Sequence, residues 1–261
     1  MHIEMTGQGA PLLLIHGWGM HSGMWGTVAA ELEKTHRVFR VDLPGHGQSN
    51  QVKLASKNRA GDASFLDDIV VQLSKQFSEP LTIVGWSLGG QVALRWAQLH
   101  SSQVARLILI ATTPCFAQKE NWICAMAAET LQEFADALTQ NYTQTLRRFL
   151  SLQLRGSDNE KEVLVGLRAQ LFSRGQPDVA GLTRGLEILR ETDMRESLRH
   201  IMQPTLVLAG ERDMLTPKAA SDYMVQALPN ARLAIMEGAA HAPFLSHPKI
   251  VMQHLASFLN E

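Results

Sequence analysis

Six short apolar runs constrain this chain more than any other feature: Pro11–Ile15, Arg37–Val41, Leu81–Trp86, Arg106–Ala111, Thr205–Ala209 and Arg232–Met236. They are rich in Leu, Ile and Val, of strand length, and separated by helical stretches. Strands buried on both faces of a parallel sheet read this way, because crossover helices cover each face. The expected fold class is therefore α/β, with a mostly parallel central sheet flanked by helices. Most of the runs end in Gly, Asp, Pro or His. Open α/β sheets hold their ligand sites beyond the carboxyl ends of the strands, so those end residues are the first place to look for chemistry.

The rhythm breaks over 114–194, where no strand-like run occurs. Leu131, Phe134, Ala135 and Leu138 follow helical spacing, as do Tyr142, Leu146, Phe149 and Leu150, and then Leu164, Leu167, Leu171 and Phe172. Gly156, Gly175-Gln176-Pro177 and Gly181 are expected to break these helices apart. An all-helical block between two strands of an α/β chain reads as an inserted cap or lid. That leaves 1–113 and 195–261 as the core.

Composition excludes several classes. With 45% hydrophobic and 19% charged residues over 261 positions, the chain can bury a sizeable core and does not read as disordered. A formal net charge of −1 gives no global field toward nucleic acid or an anionic membrane. No apolar run approaches the roughly 18 residues of a membrane helix. No Lys or Arg precedes Lys34, so a secretory signal is not expected, and Cys115 and Cys124 form no C-x-x-C pair. A cytoplasmic, reduced protein is the expectation, with Cys115 a small buried thiol and a monomer as the default. No His/Cys/Asp cluster has metal-ligand spacing and no phosphate-cradling Gly-rich loop appears, so no metal or cofactor is expected.

The strongest chemical signal is Gly85-Trp86-Ser87-Leu88-Gly89, a G-x-S-x-G pattern between the apolar run Leu81–Val84 and the helical run Gln91–His100. A serine on a sharp strand-to-helix turn projects its hydroxyl above the sheet, and only small residues fit two positions either side. Serine is a weak nucleophile near neutral pH and needs a base. Of ten histidines, His241 lies in a loop of small residues directly after the last strand run, on the same sheet edge as Ser87. His100, His200 and His254 fall in helical or linker stretches, and His247 precedes a proline. The base needs an acid to fix its tautomer. Asp213, after Thr205–Ala209, is placed for this, with Glu211 as its rival. Asp42 comes early and suits a structural role. For the developing oxyanion, the amide of Leu88 follows the nucleophile, and the loop His16-Gly17-Trp18-Gly19 offers the amide of Trp18, whose indole can also roof the acyl pocket.

Taken together, Leu14-Ile15-His16-Gly17-Trp18-Gly19, Val41-Asp42-Leu43-Pro44-Gly45-His46-Gly47-Gln48-Ser49, Gly85-Trp86-Ser87-Leu88-Gly89-Gly90 and Ala239-Ala240-His241-Ala242-Pro243-Phe244 resemble the α/β-hydrolase superfamily along nearly the whole chain. The chain order Ser87, Asp213, His241 is the order of that fold. Narrower stretches, Thr113-Pro114-Cys115-Phe116, Arg148-Phe149-Leu150-Ser151-Leu152-Gln153, Gly185-Leu186-Glu187-Ile188-Leu189 and His241-Ala242-Pro243-Phe244-Leu245-Ser246-His247-Pro248, are similar to the carboxylesterases of biotin synthesis. That resemblance implies hydrolysis of the methyl ester of pimeloyl-[acyl-carrier protein] to the free acid and methanol. It implies that Trp18, Ser87, Leu88 and His241 touch substrate, and that Phe149, Leu150, Ser151, Leu152 and Gln153 line a substrate channel. Core packing of an amphipathic helix explains Phe149 and Leu150 equally well. The implied partner is an acidic carrier protein. Asn141–Gly156 carries Arg147, Arg148 and Arg155 and no acidic residue, which suits docking of that partner as well as it suits a solvated helix face. A short-chain esterase, a lactone or carbon–carbon bond hydrolase, and a non-catalytic ligand receptor remain alternatives, since the triad alone does not name a substrate.

Overall fold

A computed structural model of the chain describes residues 1–50 and 65–261. Its centre is a seven-stranded sheet of order β1-β3-β2-β4-β5-β6-β7. The strands are β1 (Ile3–Thr6), β2 (Ala10–Ile15), β3 (His36–Val41), β4 (Leu81–Trp86), β5 (Val104–Ile110), β6 (Thr205–Gly210) and β7 (Ala231–Met236). Every neighbouring pair is parallel except β1 with β3. The six apolar runs of the sequence are β2 to β7. The edge strand β1 has no such run: Ile3-Glu4-Met5-Thr6 is short and half exposed, and pairing with β3 makes it a strand.

Burial follows position in the sheet. All six residues of β4 and of β6 are buried, which is why those runs show no polar alternation. β3 and β7, nearer the edges, are only partly buried. The helices α1 (Gly26–Leu32), α2 (Phe65–Ser74) and α3 (Leu88–Leu99) follow β2, β3 and β4 in chain order. Strand order reverses between β2 and β4, which lie side by side with Ile15 opposite Gly85. This is the switch point where such a sheet opens a crevice at its carboxyl edge. The loop 16–19 leaves β2 there, and Ser87 leaves β4 there.

Between β5 and β6 the chain leaves the sheet and forms α4 (Ala128–Leu154), α5 (Glu160–Gln170) and α6 (Val179–Glu191). Two of the sequence's helical patches lie within α4, joined across a kink at Asn141 (φ −155°, ψ 83°). Gly156 and Gly175-Gln176-Pro177 separate the helices as expected. Gly181 does not: it lies in the first turns of α6, its backbone packed against that of Gly45. Asp178 caps α6, its carboxylate accepting from the amides of Ala180 and Gly181. The chain closes with α7 (Lys218–Ala227), the short α8 (Pro243–Ser246) and α9 (Pro248–Leu259), which packs on α1. Among the described residues, no helix is long and apolar enough to cross a membrane.

Candidate active site

The turn after β4 is strained. Ser87 has φ 54° and ψ −117°, a left-handed conformation that costs a non-glycine residue free energy and persists only when its surroundings impose it. They do. The Ser87 N–H donates to the Ile110 carbonyl at 3.0 Å, continuing the β4–β5 ladder. Its carbonyl accepts from the Thr112 hydroxyl at 2.6 Å and from the Gly90 amide at 2.9 Å, which opens α3. A Cβ at Gly85 would fall 2.6 Å from Gly90 Cα, and one at Gly89 on the carbonyls of Ile15 and His16. The glycines of G-x-S-x-G are therefore demanded by close backbone packing.

Asp213 and His241 meet on the same edge, on the loops after β6 and β7. The His241 Nδ1–H donates to Asp213 Oδ2 at 2.8 Å, with both side chains out of contact with solvent. The rest of the carboxylate is also filled: Oδ1 accepts from the amides of Leu215 (2.8 Å) and Thr216 (3.0 Å), and Oδ2 from the Thr216 hydroxyl (2.6 Å). Burial by itself would raise the Asp213 pKa. The adjacent His241 ring and the Thr216 hydrogen bonds outweigh burial and hold it below the ordinary carboxylate value. A proton on Nδ1 leaves Nε2 as the basic nitrogen, and this atom is buried without a hydrogen-bond partner among the described residues. The ring is steadied by Trp86, whose indole N–H donates to the His241 carbonyl at 2.9 Å. Trp86 immediately precedes Ser87, so the His241 loop is fastened to the Ser87 turn. Glu211, the rival acid, points elsewhere and accepts from the Gly238 amide at 3.0 Å.

The loop after β2 approaches Ser87 closely: a Cβ at Gly17 would lie 3.2 Å from Ser87 Cβ. Two buried histidines fix its course. His16 Nε2 accepts from the Leu43 amide at 2.9 Å, so its proton is on Nδ1, which donates to the Gly17 carbonyl at 2.8 Å. His46 Nε2 accepts from the Gly19 amide at 3.1 Å, and its Nδ1–H donates to the Pro44 carbonyl at 2.9 Å. Burial lowers the pKa of His16 to about 3 and that of His46 to about 4, which keeps both neutral and able to accept. The carboxylate of Asp42 is occupied with the amides of Ser22 (2.6 Å) and Gln48 (2.9 Å), a loop-holding role. The sequence contains His16 and His46 within its H-G-x-G and P-G-H-G stretches, but only the fold brings them to opposite sides of one loop. Thr216 was equally hidden, its only trace being a hydroxyl three residues after Asp213.

The inserted helices close over this edge. Trp18 is buried, its indole N–H donating to the Leu182 carbonyl of α6 at 2.8 Å and its ring edge-on to Phe149 of α4, centroids 4.8 Å apart. Gln153, also buried, accepts from the His241 backbone amide at 2.9 Å through its own carbonyl, and its side-chain Oε1 has no partner among the described residues. Leu150 is fully buried in the core cluster, and Leu152 packs at its margin. Ser151 turns away: its hydroxyl donates to the Arg147 carbonyl and accepts from Arg168, both at 3.1 Å. Arg147, Arg148 and Arg155 are exposed, with Arg148 stacked over Phe134. Cys115 is fully buried and, like Cys124, a free thiol. Among the described residues no group of His, Cys, Asp and Glu is arranged to hold a metal ion.

Comparison with known proteins agrees with this architecture. The model of the alpha/beta hydrolase fold family matches residues 10–248. A pimeloyl-[acyl-carrier protein] methyl ester esterase of Nitrosomonas europaea is 43% identical over 250 residues, covering 95% of each chain. One from Nitrosospira multiformis is 37% identical over 258 residues, covering 99% of this chain and 97% of the relative. Among solved structures, a bromoperoxidase of Bacillus anthracis superposes with a TM-score of 0.86 at 22% identity, over 99% of this chain and 95% of its own. An esterase of Exiguobacterium antarcticum gives 0.83 at 21% identity, over 100% and 95%. At that identity the superpositions speak for the fold alone. The chain belongs to the α/β-hydrolase family, alongside these methyl ester esterases.

Proposed function

We propose that this chain is a serine carboxylesterase that hydrolyses the methyl ester of pimeloyl-[acyl-carrier protein] to pimeloyl-[acyl-carrier protein] and methanol, a step of biotin synthesis. The observation that carries the chemistry is the buried Asp213–His241 pair, with Nε2 unpartnered at the edge where Ser87 sits in its strained turn. Substrate identity rests on full-length similarity to relatives bearing that name.

In this reading His241 Nε2 takes the Ser87 hydroxyl proton as the oxygen adds to the ester carbonyl, and returns it to the departing methoxide. Water then adds by the same route and frees the acid. Asp213 does not change protonation; it holds the ring in the Nδ1–H tautomer and offsets the charge of the imidazolium. The amides of Trp18 and Leu88 receive the oxyanion, on a loop preset by His16 and His46 and at the start of α3. Residues 114–194 form the cap, and its helix α4 supplies Phe149, Leu150, Leu152 and Gln153 along the acyl chain. Arg147, Arg148 and Arg155 offer the acidic carrier a basic docking face. We place the reaction in the cytoplasm and in a monomer.

A fluorophosphonate probe tests the catalytic part. Wild-type protein is expected to be labelled and Ser87→Ala not. Equal labelling of both would put the nucleophile elsewhere.

A further inference from the structure

Helix α6 carries two glycines, Gly181 and Gly185, one helical turn apart and so on one face. Glycine is the poorest helix former after proline, so two in one helix interior call for a close approach. Each has one. Gly181 bears on the backbone of Gly45, and the Asp178 amide donates to the Gly45 carbonyl at 2.9 Å, which pins the start of α6 to the core. Gly185 bears on the site itself. A Cβ there would lie 2.6 Å from Trp18 Cδ1, 3.1 Å from Trp18 Nε1 and 3.6 Å from Leu88 Cδ2. One cap glycine thus touches the side chains of both residues whose amides are read as the oxyanion donors.

The hold on Trp18 is lopsided. Its backbone belongs to the core loop, but its indole is bonded to Leu182 of α6 and stacked on Phe149 of α4. The Trp18 peptide is therefore oriented from two directions, by the core histidines on its neighbours and by the cap through its ring. We infer that Gly185 is a positioning residue: it lets α6 seat on Trp18 and Leu88, so that the cap completes the oxyanion hole as well as covering substrate. This rests on the assignment of the Trp18 and Leu88 amides above. It requires that the cap be seated for full turnover even of an ester too small to need it for binding.

The test uses p-nitrophenyl acetate and the full-length chain. Gly185→Ala is expected to lower kcat on the order of tenfold, less than the roughly 10²–10³-fold lost when an oxyanion donor is removed outright, with KM changed less than twofold and the pH profile unmoved. Trp18→Phe keeps a ring and removes the indole N–H to Leu182; its expected loss in kcat is about threefold to tenfold. In the Trp18→Ala background Gly185→Ala should cost nothing further, because the two act through one contact. Unchanged kcat in Gly185→Ala, a loss confined to KM, or losses that multiply in the double variant would overturn the inference. Should Gly185→Ala fail to fold, unchanged kcat in Trp18→Phe overturns it instead. Ser87→Ala with wild-type kcat on the same ester would refute the catalytic reading on which this rests, an outcome distinct from failure of Gly185 alone.

Discussion

The two histidines that hold the loop after β2 make the fold acid-sensitive, and the size of the effect follows from their surroundings. His16 and His46 are fully enclosed and stand 5.2 Å apart, facing Asp42 and His21. Burial lowers their pKa values to about 3 and about 4, whereas an unfolded histidine titrates near 6.5. The folded values are depressed, so the unfolded chain binds protons first as pH falls. Stability is undiminished above pH 6.5 and is lost progressively below it, until the folded values are reached. At pH 5 each histidine costs about 2 kcal/mol, or about 4 kcal/mol together, against a typical total of roughly 5–15 kcal/mol. His21 and His36, also lowered by burial, add in the same sense. Urea unfolding followed by tryptophan fluorescence at pH 7.5, 6 and 5 measures this directly. His46→Gln retains a donor and an acceptor for Pro44 and Gly19 but does not titrate, and should remove about half of the slope assigned to the pair. A stability flat from pH 7.5 to 5, or a full slope in His46→Gln, would refute the reasoning.

Other outcomes follow from the same geometry. Asp213→Asn should reduce kcat on the order of 10³–10⁴-fold by releasing the His241 tautomer, while Glu211→Gln, whose carboxylate meets the Gly238 amide and the Arg212 guanidinium, should leave kcat within a few-fold; steady-state kinetics on p-nitrophenyl acetate compares them. Gly89→Ala would drive a methyl into the carbonyls of Ile15 and His16 and should cost about 1–3 kcal/mol or more, seen as a lowered Tm. Reversing charge at Arg147 and Arg148 should slow turnover of the carrier-linked ester on the order of tenfold while sparing a small soluble ester, and equal losses on both would remove the docking role.

What was legible in the sequence was set by local chemistry. The central strands β2, β4, β5 and β6 announce themselves because a stretch buried on both faces is nearly all apolar, the partly buried β3 and β7 show shorter apolar runs, and the strand–G-x-S-x-G–helix segment is a turn that few other residues fit. Asp213 and His241 could be chosen by their place after the last two strands. What escaped depends on contacts between distant segments. β1 is a strand only because β3 lies beside it. Gly181 reads as a helix breaker, yet it sits within α6 because the Gly45 backbone comes too close for a side chain. The bond from Trp18 to Leu182 spans 164 positions, and no local pattern predicts it. The clamp of His16 and His46 on one loop is of the same kind.

The measurement that bears most directly on the central claim is methanol release from pimeloyl-carrier methyl ester, set beside hydrolysis of a p-nitrophenyl ester of matched chain length. The expected result is strong preference for the carrier-linked ester, and a loss of about 10⁴-fold or more in Ser87→Ala. Hydrolysis of the soluble ester alone, with no methanol from the carrier-linked one, would contradict it.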